Sequence, residues 1–269
     1  MAPRQRVDQQ PGYVLHTYPY RETSLIVEAF SLDHGRVGLV ARGARRPTSQ
    51  LRGQLMAFRP LFLDWSGGGE MKTLIRAEWQ GRLPLLGGQA LLCGYYLNEL
   101  LMRLLARHDP HPRLFDAYAA SMPALAQGED LLVQAGLRAF ELVLLREIGV
   151  LPALDQDTVA QAPLRPQRHY ALRPELGLSA DGPADARLPA AWWTALEAAL
   201  AAGEMASLQR HCADSLPALK SSLRAVLHYH LGSPKMRTRE VMLDARQWSS
   251  RAAQAAAAPA ALSVPPLDP

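Results

Sequence analysis

The stretch SLIVEAFSLDHGRVGLVARG, residues 24–43, shows the pattern that the first third of the chain repeats. Two runs rich in leucine and β-branched residues, 24–31 and 35–43, lie on either side of the turn-forming sequence Asp-His-Gly. Runs of this kind, bounded by turn formers, are typical of β-strands. The stretch therefore predicts two short strands joined by a turn.

Three further runs of the same texture extend this pattern on both sides, at residues 12–18, 56–66 and 69–79. Turn-forming segments separate them. Five short strands within about 80 residues fit a small barrel or a sandwich, and a five-stranded OB barrel is the natural candidate. The first third of the chain is therefore expected to form an OB-like β-barrel.

After this region the pattern becomes helical. Residues 90–108 are apolar nearly all round, which predicts a helix buried on most sides. Residues 131–148 place apolar side chains at helical spacing, with Arg138 and Glu141 on another face. Further helices are predicted at 190–202, 205–231 and 233–246.

The fold class expected from these patterns is α+β multidomain, with an N-terminal five-stranded OB-like β-barrel followed by a mostly α-helical domain. The 269 residues are enough for two domains. We assign residues 1–84 to the barrel and 85–248 to the helical domain, with an insertion of weak periodicity at about 153–189. Residues 249–269 are rich in alanine and proline and are expected to be disordered.

Positive charge is concentrated in the N-terminal third. Residues 1–84 hold 12 Lys and Arg against 7 Asp and Glu, whereas the rest of the chain holds 17 against 18. A charge asymmetry of this kind indicates an anionic partner for one part of the molecule, and nucleic acid is the usual one.

The arginines from Arg36 to Arg59 are not interrupted by any Asp or Glu, although a merely soluble surface would mix both signs. Strand alternation places Arg36 and Arg42 on one face, and Lys72 and Arg76 together on a face of another strand. The alternative is a solvated strand face. The candidate nucleic-acid-binding residues are Arg36, Arg42, Arg45, Arg46, Arg52, Lys72 and Arg76.

Four aromatic residues lie near these cations in sequence: Tyr20, Phe58, Phe62 and Trp65. A groove that combines cations with aromatic platforms is what single-stranded nucleic acid requires, since phosphates need cations and every base offers a π-face. The alternative is that Phe58, Phe62 and Trp65 form the core, and the sequence leaves both interpretations open.

No catalytic machinery is predicted. The sequence His211-Cys212 lacks a partner acid or a glycine-rich nucleophile turn, and no phosphate-binding glycine loop of the P-loop type occurs. The two cysteines suit a reducing cytoplasm, and no apolar run approaches the roughly 20 residues of a membrane span. We therefore expect a cytoplasmic protein that is not an enzyme and needs no cofactor, and that associates with the nucleoid if its anionic partner is DNA.

Four segments carry a resemblance to a known family, and they occur in that family's order: residues 21–78, 94–118, 137–152 and 230–240. They include RETSLIVEAF, GYYLNELLMRLLARH, LRAFELVLLREIGVLP and HLGSPKMRTRE. Together they resemble the RecO family of bacterial recombination mediators, over essentially the whole folded chain. The resemblance implies an OB-fold that binds DNA, followed by a mostly helical domain, in agreement with the strand pattern.

The resemblance also implies the partners. Family members bind single- and double-stranded DNA, anneal single strands, engage the single-stranded-DNA-binding protein SSB, and act with RecR to load RecA. The helical domain is implied to receive the acidic C-terminal tail of SSB, for which Arg138 is the best candidate. The alternative is a surface arginine paired with Glu141. A different function left open is that of an OB-fold RNA-binding or adaptor protein without a repair role.

The chain departs from the family in one respect. Many members carry a four-cysteine zinc site in the insertion, but residues 153–189 contain no cysteine here. Zinc needs about four nitrogen or sulfur ligands, which His169 alone cannot supply. No metal is therefore expected in this segment.

Overall fold

In the computed structural model, the described residues are 6–81, 85–232, 236–238 and 240–241. The first part of the chain forms, in order, β1 (Arg6–Tyr20), β2 (Ser24–Ser31), β3 (Gly35–Ala41), α1 (Leu51–Gln54), β4 (Pro60–Ser66) and β5 (Met71–Trp79). All five predicted strands are present, and β2 begins and ends at the predicted residues.

The five strands close into a barrel in the order β1-β2-β3-β5-β4, with β4 paired back to β1. The pairing of β3 with β5 is parallel and places Gly38 beside Met71. The other pairings in the barrel are antiparallel. The predicted OB-like barrel is confirmed. Its interior is filled mainly by Val27, Leu39, Leu61, Leu63, Trp65 and Leu74.

The second part of the chain is mainly helical, with α2 (Gly88–Leu104), α3 (Pro112–Gln127), α4 (Asp130–Glu147), α5 (Ala190–Ala202), α6 (Met205–Ala213) and α7 (Leu216–Leu231). Helix α4 is the centre of this part and packs against α3, α6 and α7. The single helix predicted at 205–231 is two helices, because α7 starts afresh with Pro217 in its first turn. Helix α3 was not predicted.

The insertion forms five short strands: β6 (Gln156–Asp157), β7 (Ala162–Pro163), β8 (His169–Arg173), β9 (Gly177–Ser179) and β10 (Leu188–Pro189). Strand β8 pairs with both β9 and β10. Its Tyr170 is buried, and the indole of Trp193 donates to the Tyr170 carbonyl at 3.0 Å. The insertion is thereby held against α5.

The outer wall of the barrel is part of the core of the helical domain. Tyr13 and Phe30 belong to the same buried cluster as the residues of α2 and α3. The rings of Tyr13 and Tyr118 lie 4.9 Å apart. Asn98 donates to the Leu15 carbonyl at 2.8 Å and accepts the Tyr118 hydroxyl at 2.6 Å, so the buried amide is paired on both sides. Barrel and helices therefore share one continuous core.

A charged seam runs along the same junction. Arg107, which follows α2, pairs with Glu28 of β2 and, at 2.7 Å, with Glu70 before β5. Gly35 sits in the left-handed region at φ +61°, and a Cβ there would collide with the backbone of Asp109. Only glycine fits this close approach. The junction is therefore closely packed on both sides of the turn between β2 and β3.

Three predictions bear on residues outside the described ranges. The predicted domain boundary at 84–85 adjoins 82–84, and the predicted helix at 233–246 is described only at 236–238 and 240–241. The predicted tail at 249–269 lies wholly outside. No helix among the described residues is long and apolar enough to cross a membrane.

Candidate nucleic-acid interface

The loop between β3 and β4 presents four exposed arginines: Arg42, Arg45, Arg46 and Arg52. Backbone hydrogen bonds hold this loop in place, from Arg45 to the Thr23 carbonyl at 2.8 Å and from Arg46 to the Gly43 carbonyl at 3.0 Å. We call these four side chains the arginine loop. Within the described part of the chain, none of them forms an ion pair with a carboxylate.

The structure does not bring Arg36 to this surface. Its guanidinium donates to the Met102 carbonyl at the end of α2 and lies 4.0 Å from Glu28. The predicted alternation of β3 is correct, but helix α2 covers the outer face at this end of the strand. Arg36 therefore contributes to the junction between barrel and helices, and Arg42 remains at the exposed end.

Lys72 and Arg76 do not share a face, contrary to the prediction. Leu74 pairs with Trp65 and Arg76 with Asp64, so Ile75 is an extra residue on β5. A β-bulge of this kind restarts the alternation of side chains. Lys72 consequently lies on the side of Leu74, whereas Arg76 lies on the opposite side. Lys72 donates to the Gly69 carbonyl at 3.1 Å, and Arg76 pairs with Glu78.

The four predicted aromatic residues divide between core and surface. Trp65 and Phe58 are buried, which settles the core interpretation for these two rings. Phe62 and Tyr20 are half-buried, and the Arg21 guanidinium lies 5.1 Å from the centre of the Tyr20 ring.

Other aromatic rings, not predicted as part of the interface, face the solvent. Tyr18, Trp79 and Tyr95 are 42%, 45% and 39% exposed. Arg59 stacks on Trp79 with its guanidinium carbon 4.2 Å from the ring centre, a cation–π contact. One signal was available in the sequence, because Tyr18 and Tyr20 share a face of β1 by strand alternation.

The prediction that Arg138 and Glu141 lie on a polar face of α4 is wrong. Arg138 is only 6% exposed and Glu141 is fully buried. The guanidinium pairs with the Glu141 carboxylate, which also accepts the Tyr96 hydroxyl at 2.7 Å. This face is covered because α4 packs between its neighbouring helices. The ion pair with Glu141, which the sequence left open, is present, but it lies in the core and not on the surface.

Burial raises the pKa of Glu141, and Arg138 and Tyr96 offset only part of that effect. A neighbouring thiol is inert for the same reason, because burial raises the pKa of Cys212 to about 12. A thiol with such a pKa is neither a nucleophile nor a ready metal ligand near neutral pH.

We expect the purified protein to contain no structural zinc. Among the described residues, no group of three or more His, Cys, Asp or Glu side chains is placed to hold a metal ion. Treatment with a chelator should therefore leave the melting temperature unchanged, since no metal contributes to folding. Stoichiometric zinc in elemental analysis would contradict this prediction.

Two family models match the chain in succession. The model described as "Recombination protein O N terminal" matches residues 6–82, and "Recombination protein O C terminal" matches residues 87–240. The chain belongs to the RecO family. The first match contains the barrel and the arginine loop, and the second contains the helices and the insertion.

Individual RecO proteins are similar over nearly their full length. The DNA repair protein RecO of Aromatoleum aromaticum is 49% identical over 92% of this chain and 100% of its own. Those of Polaromonas sp. and Azoarcus sp. are each 50% identical, over 89% and 91% of this chain and 97% and 98% of their own. Family membership supports a role in DNA repair.

Proposed function

We propose that this chain is a non-enzymatic mediator of recombinational DNA repair that binds and anneals single-stranded DNA. The observation that carries the proposal is the arginine loop, which presents four cations without a carboxylate partner among the described residues. Phosphates supply the missing counter-charge, and binding then releases condensed counterions from the DNA.

Annealing follows from charge neutralisation. Two complementary strands repel each other through their phosphates, and cations fixed on a closed barrel reduce that repulsion at the contact. Base pairing supplies the sequence matching, so the protein needs no catalytic residue. The same surface accepts the backbone of double-stranded DNA, since phosphate contacts carry no sequence information.

We further propose that the protein acts in the cytoplasm, on the nucleoid, and helps load RecA on SSB-coated DNA together with RecR. The similarity to DNA repair proteins named RecO supports this place in repair. An RNA-binding or adaptor role is the alternative that the test must exclude.

The test is an annealing assay with two complementary oligonucleotides, with and without SSB, alongside RNA strands of the same sequence in the same salt. We expect the protein to accelerate annealing of DNA, including SSB-coated DNA. Tighter binding to RNA, without acceleration of DNA annealing, would favour the alternative function.

We propose that the C-terminal tail of SSB binds the helical domain at Arg138, where the tail carboxylate would replace Glu141 as the partner of the guanidinium, because a desolvated carboxylate requires a cation. The single variant Arg138→Ala is a poor test, since it leaves Glu141 buried without its partner. The double variant Arg138→Met/Glu141→Leu removes both charges together. Titration with an SSB tail peptide should then show that the binding free energy is weaker by about 1.5–3 kcal/mol, the range for hydrogen bonds to charged groups. Equal affinity for the peptide would place the SSB site elsewhere.

A further inference from the structure

A groove of about 940 Å³ lies between the barrel and helix α2. Its walls are the outer face of β1 at residues 14–18, the segment 55–59 that follows α1, and one side of α2. Apolar side chains form much of the lining, including Met56, Leu86 and Met102. The groove is separate from the arginine loop but begins on a neighbouring part of the barrel.

Two exposed tyrosines stand in this groove, Tyr18 from β1 and Tyr95 from α2. Each ring is supported by a neighbouring ring. His16 contacts Tyr18 with ring centres 4.5 Å apart, and Phe58 contacts Tyr95 at 4.9 Å. Rings braced in this way lose little conformational freedom when a ligand binds, which makes them suitable stacking platforms.

The charge of the groove favours an anionic occupant. Among the described residues that line it, Arg59, Arg103 and Arg237 stand against the single carboxylate of Glu99, which lies 3.6 Å from Arg103. That carboxylate accepts the backbone N–H groups of Arg237 and Thr238, each at 3.0 Å. Partial burial alone would raise the pKa of Glu99, but the hydrogen bonds from Thr238 and Arg237 outweigh it and lower the pKa. Glu99 is therefore ionised and engaged within the protein.

An aromatic row connects the groove to the arginine loop. His16, Tyr18 and Tyr20 alternate on the outer face of β1, about 6.6 Å apart from one to the next. At the far end, Arg21 lies over Tyr20, and the Arg45 guanidinium donates to the Glu22 carbonyl at 3.3 Å. One extended strand can therefore contact both surfaces.

We propose that this groove binds unpaired bases of single-stranded DNA, which stack on Tyr18 and Tyr95 while the backbone continues over the arginine loop. The inference rests on the proposed DNA-binding function and assigns the base contacts within it. Base stacking is tolerant of sequence because every base has a π-face. A duplex hides its base faces, so the groove gives the protein a preference for single strands over duplexes.

The test measures the affinity of full-length variants for a labelled oligo(dT) and for an abasic oligonucleotide of the same length. Tyr18→Ala and Tyr95→Ala should each weaken oligo(dT) binding about 5- to 150-fold, the range for one stacked base. The salt dependence should not change, because no phosphate contact is lost. Tyr18→Phe and Tyr95→Phe keep the ring and should bind like the parent.

The controls separate stacking from misfolding. Tyr229→Ala removes a 50% exposed tyrosine of α7 outside the groove and should leave binding intact. Melting temperatures check that each variant is folded. Binding of the abasic oligonucleotide should be the same for the parent and both alanine variants.

Three outcomes would overturn the inference. In the first, the double variant Tyr18→Ala/Tyr95→Ala binds oligo(dT) like the parent, whereas charge reversal of the arginine loop weakens binding. The groove would then not bind bases, but the proposed DNA-binding function would stand. In the second, the double variant Tyr18→Ala/Tyr95→Ala loses binding to an acidic apolar peptide that the parent binds, while its oligo(dT) affinity is unchanged. The groove would then be a site for a protein partner. A parent protein that binds neither oligonucleotide would refute the proposed function itself.

Discussion

Replacing Glu141 by alanine is expected to destabilise the protein by about 3–5 kcal/mol, the cost of removing one partner from a buried ion pair. Arg138 would then be buried beside an alanine, with no carboxylate opposite it. An arginine cannot escape this cost by losing its proton, since a guanidinium stays protonated in proteins. Denaturant unfolding of parent and variant measures the loss.

The two halves of the pair are not equivalent. Arg138→Ala leaves Glu141, which can take up a proton and become neutral, so this variant should lose less stability than Glu141→Ala. Burial already raises the pKa of Glu141. A carboxyl whose pKa is raised on folding favours the folded state at low pH, and this benefit disappears as the pH rises through the folded-state pKa. The stability of Arg138→Ala relative to the parent should therefore improve towards acidic pH.

The matched control is Arg138→Met/Glu141→Leu, which replaces both charges by apolar side chains. Such replacements of buried ion pairs are often neutral or stabilising. We expect this double variant to be at least as stable as Arg138→Ala at neutral pH. If Glu141→Ala unfolds at the same denaturant concentration as the parent, the pair is not buried in solution.

Reversing the charges of Arg42, Arg45 and Arg46 to glutamate is expected to weaken single-stranded DNA binding on the order of a thousandfold at low salt. Three contacts of about 1.5 kcal/mol each, the low end for hydrogen bonds to charged groups, give that factor. The slope of log affinity against log salt should fall by about 2, at roughly 0.7 for each lost phosphate contact. The three side chains are exposed, so the variant should remain folded.

The control variant has the same change in net charge, but at three arginines outside the barrel. Arg165, Arg168 and Arg187 are exposed and lie in the insertion, outside the barrel. Their combined change to glutamate should leave the salt slope close to that of the parent. A folded arginine-loop variant with an unchanged slope would refute the assignment of these residues to DNA.

The sequence was sufficient where the local pattern decides the structure. Strand β2 and helix α5 have the predicted bounds, because hydrophobic runs end at turn formers on both sides. The exposure of the loop arginines could also be predicted, because arginines without a carboxylate partner are rarely buried.

The sequence was insufficient where the packing of distant elements decides which side chains are exposed. Whether the face of α4 that carries Arg138 meets solvent depends on where α6 and α7 lie, and the periodicity of one helix does not contain that information. The bulge at Ile75 is a single extra residue without a distinctive composition, yet it separates Lys72 from Arg76. Arg36 was misplaced for a related reason, because α2 covers it from a distant part of the chain.

The shared core of barrel and helices has a consequence for synthesis on the ribosome. The barrel strands emerge first, but Tyr13 and Phe30 pack against Phe115 and Tyr118 of α3, which is made later. Some 50 residues separate the end of β5 from the end of α3. At about 5–20 residues per second, these aromatic rings stay uncovered for roughly 2 to 10 seconds in every round of translation. The nascent chain therefore offers a binding site for chaperones that the finished protein no longer has.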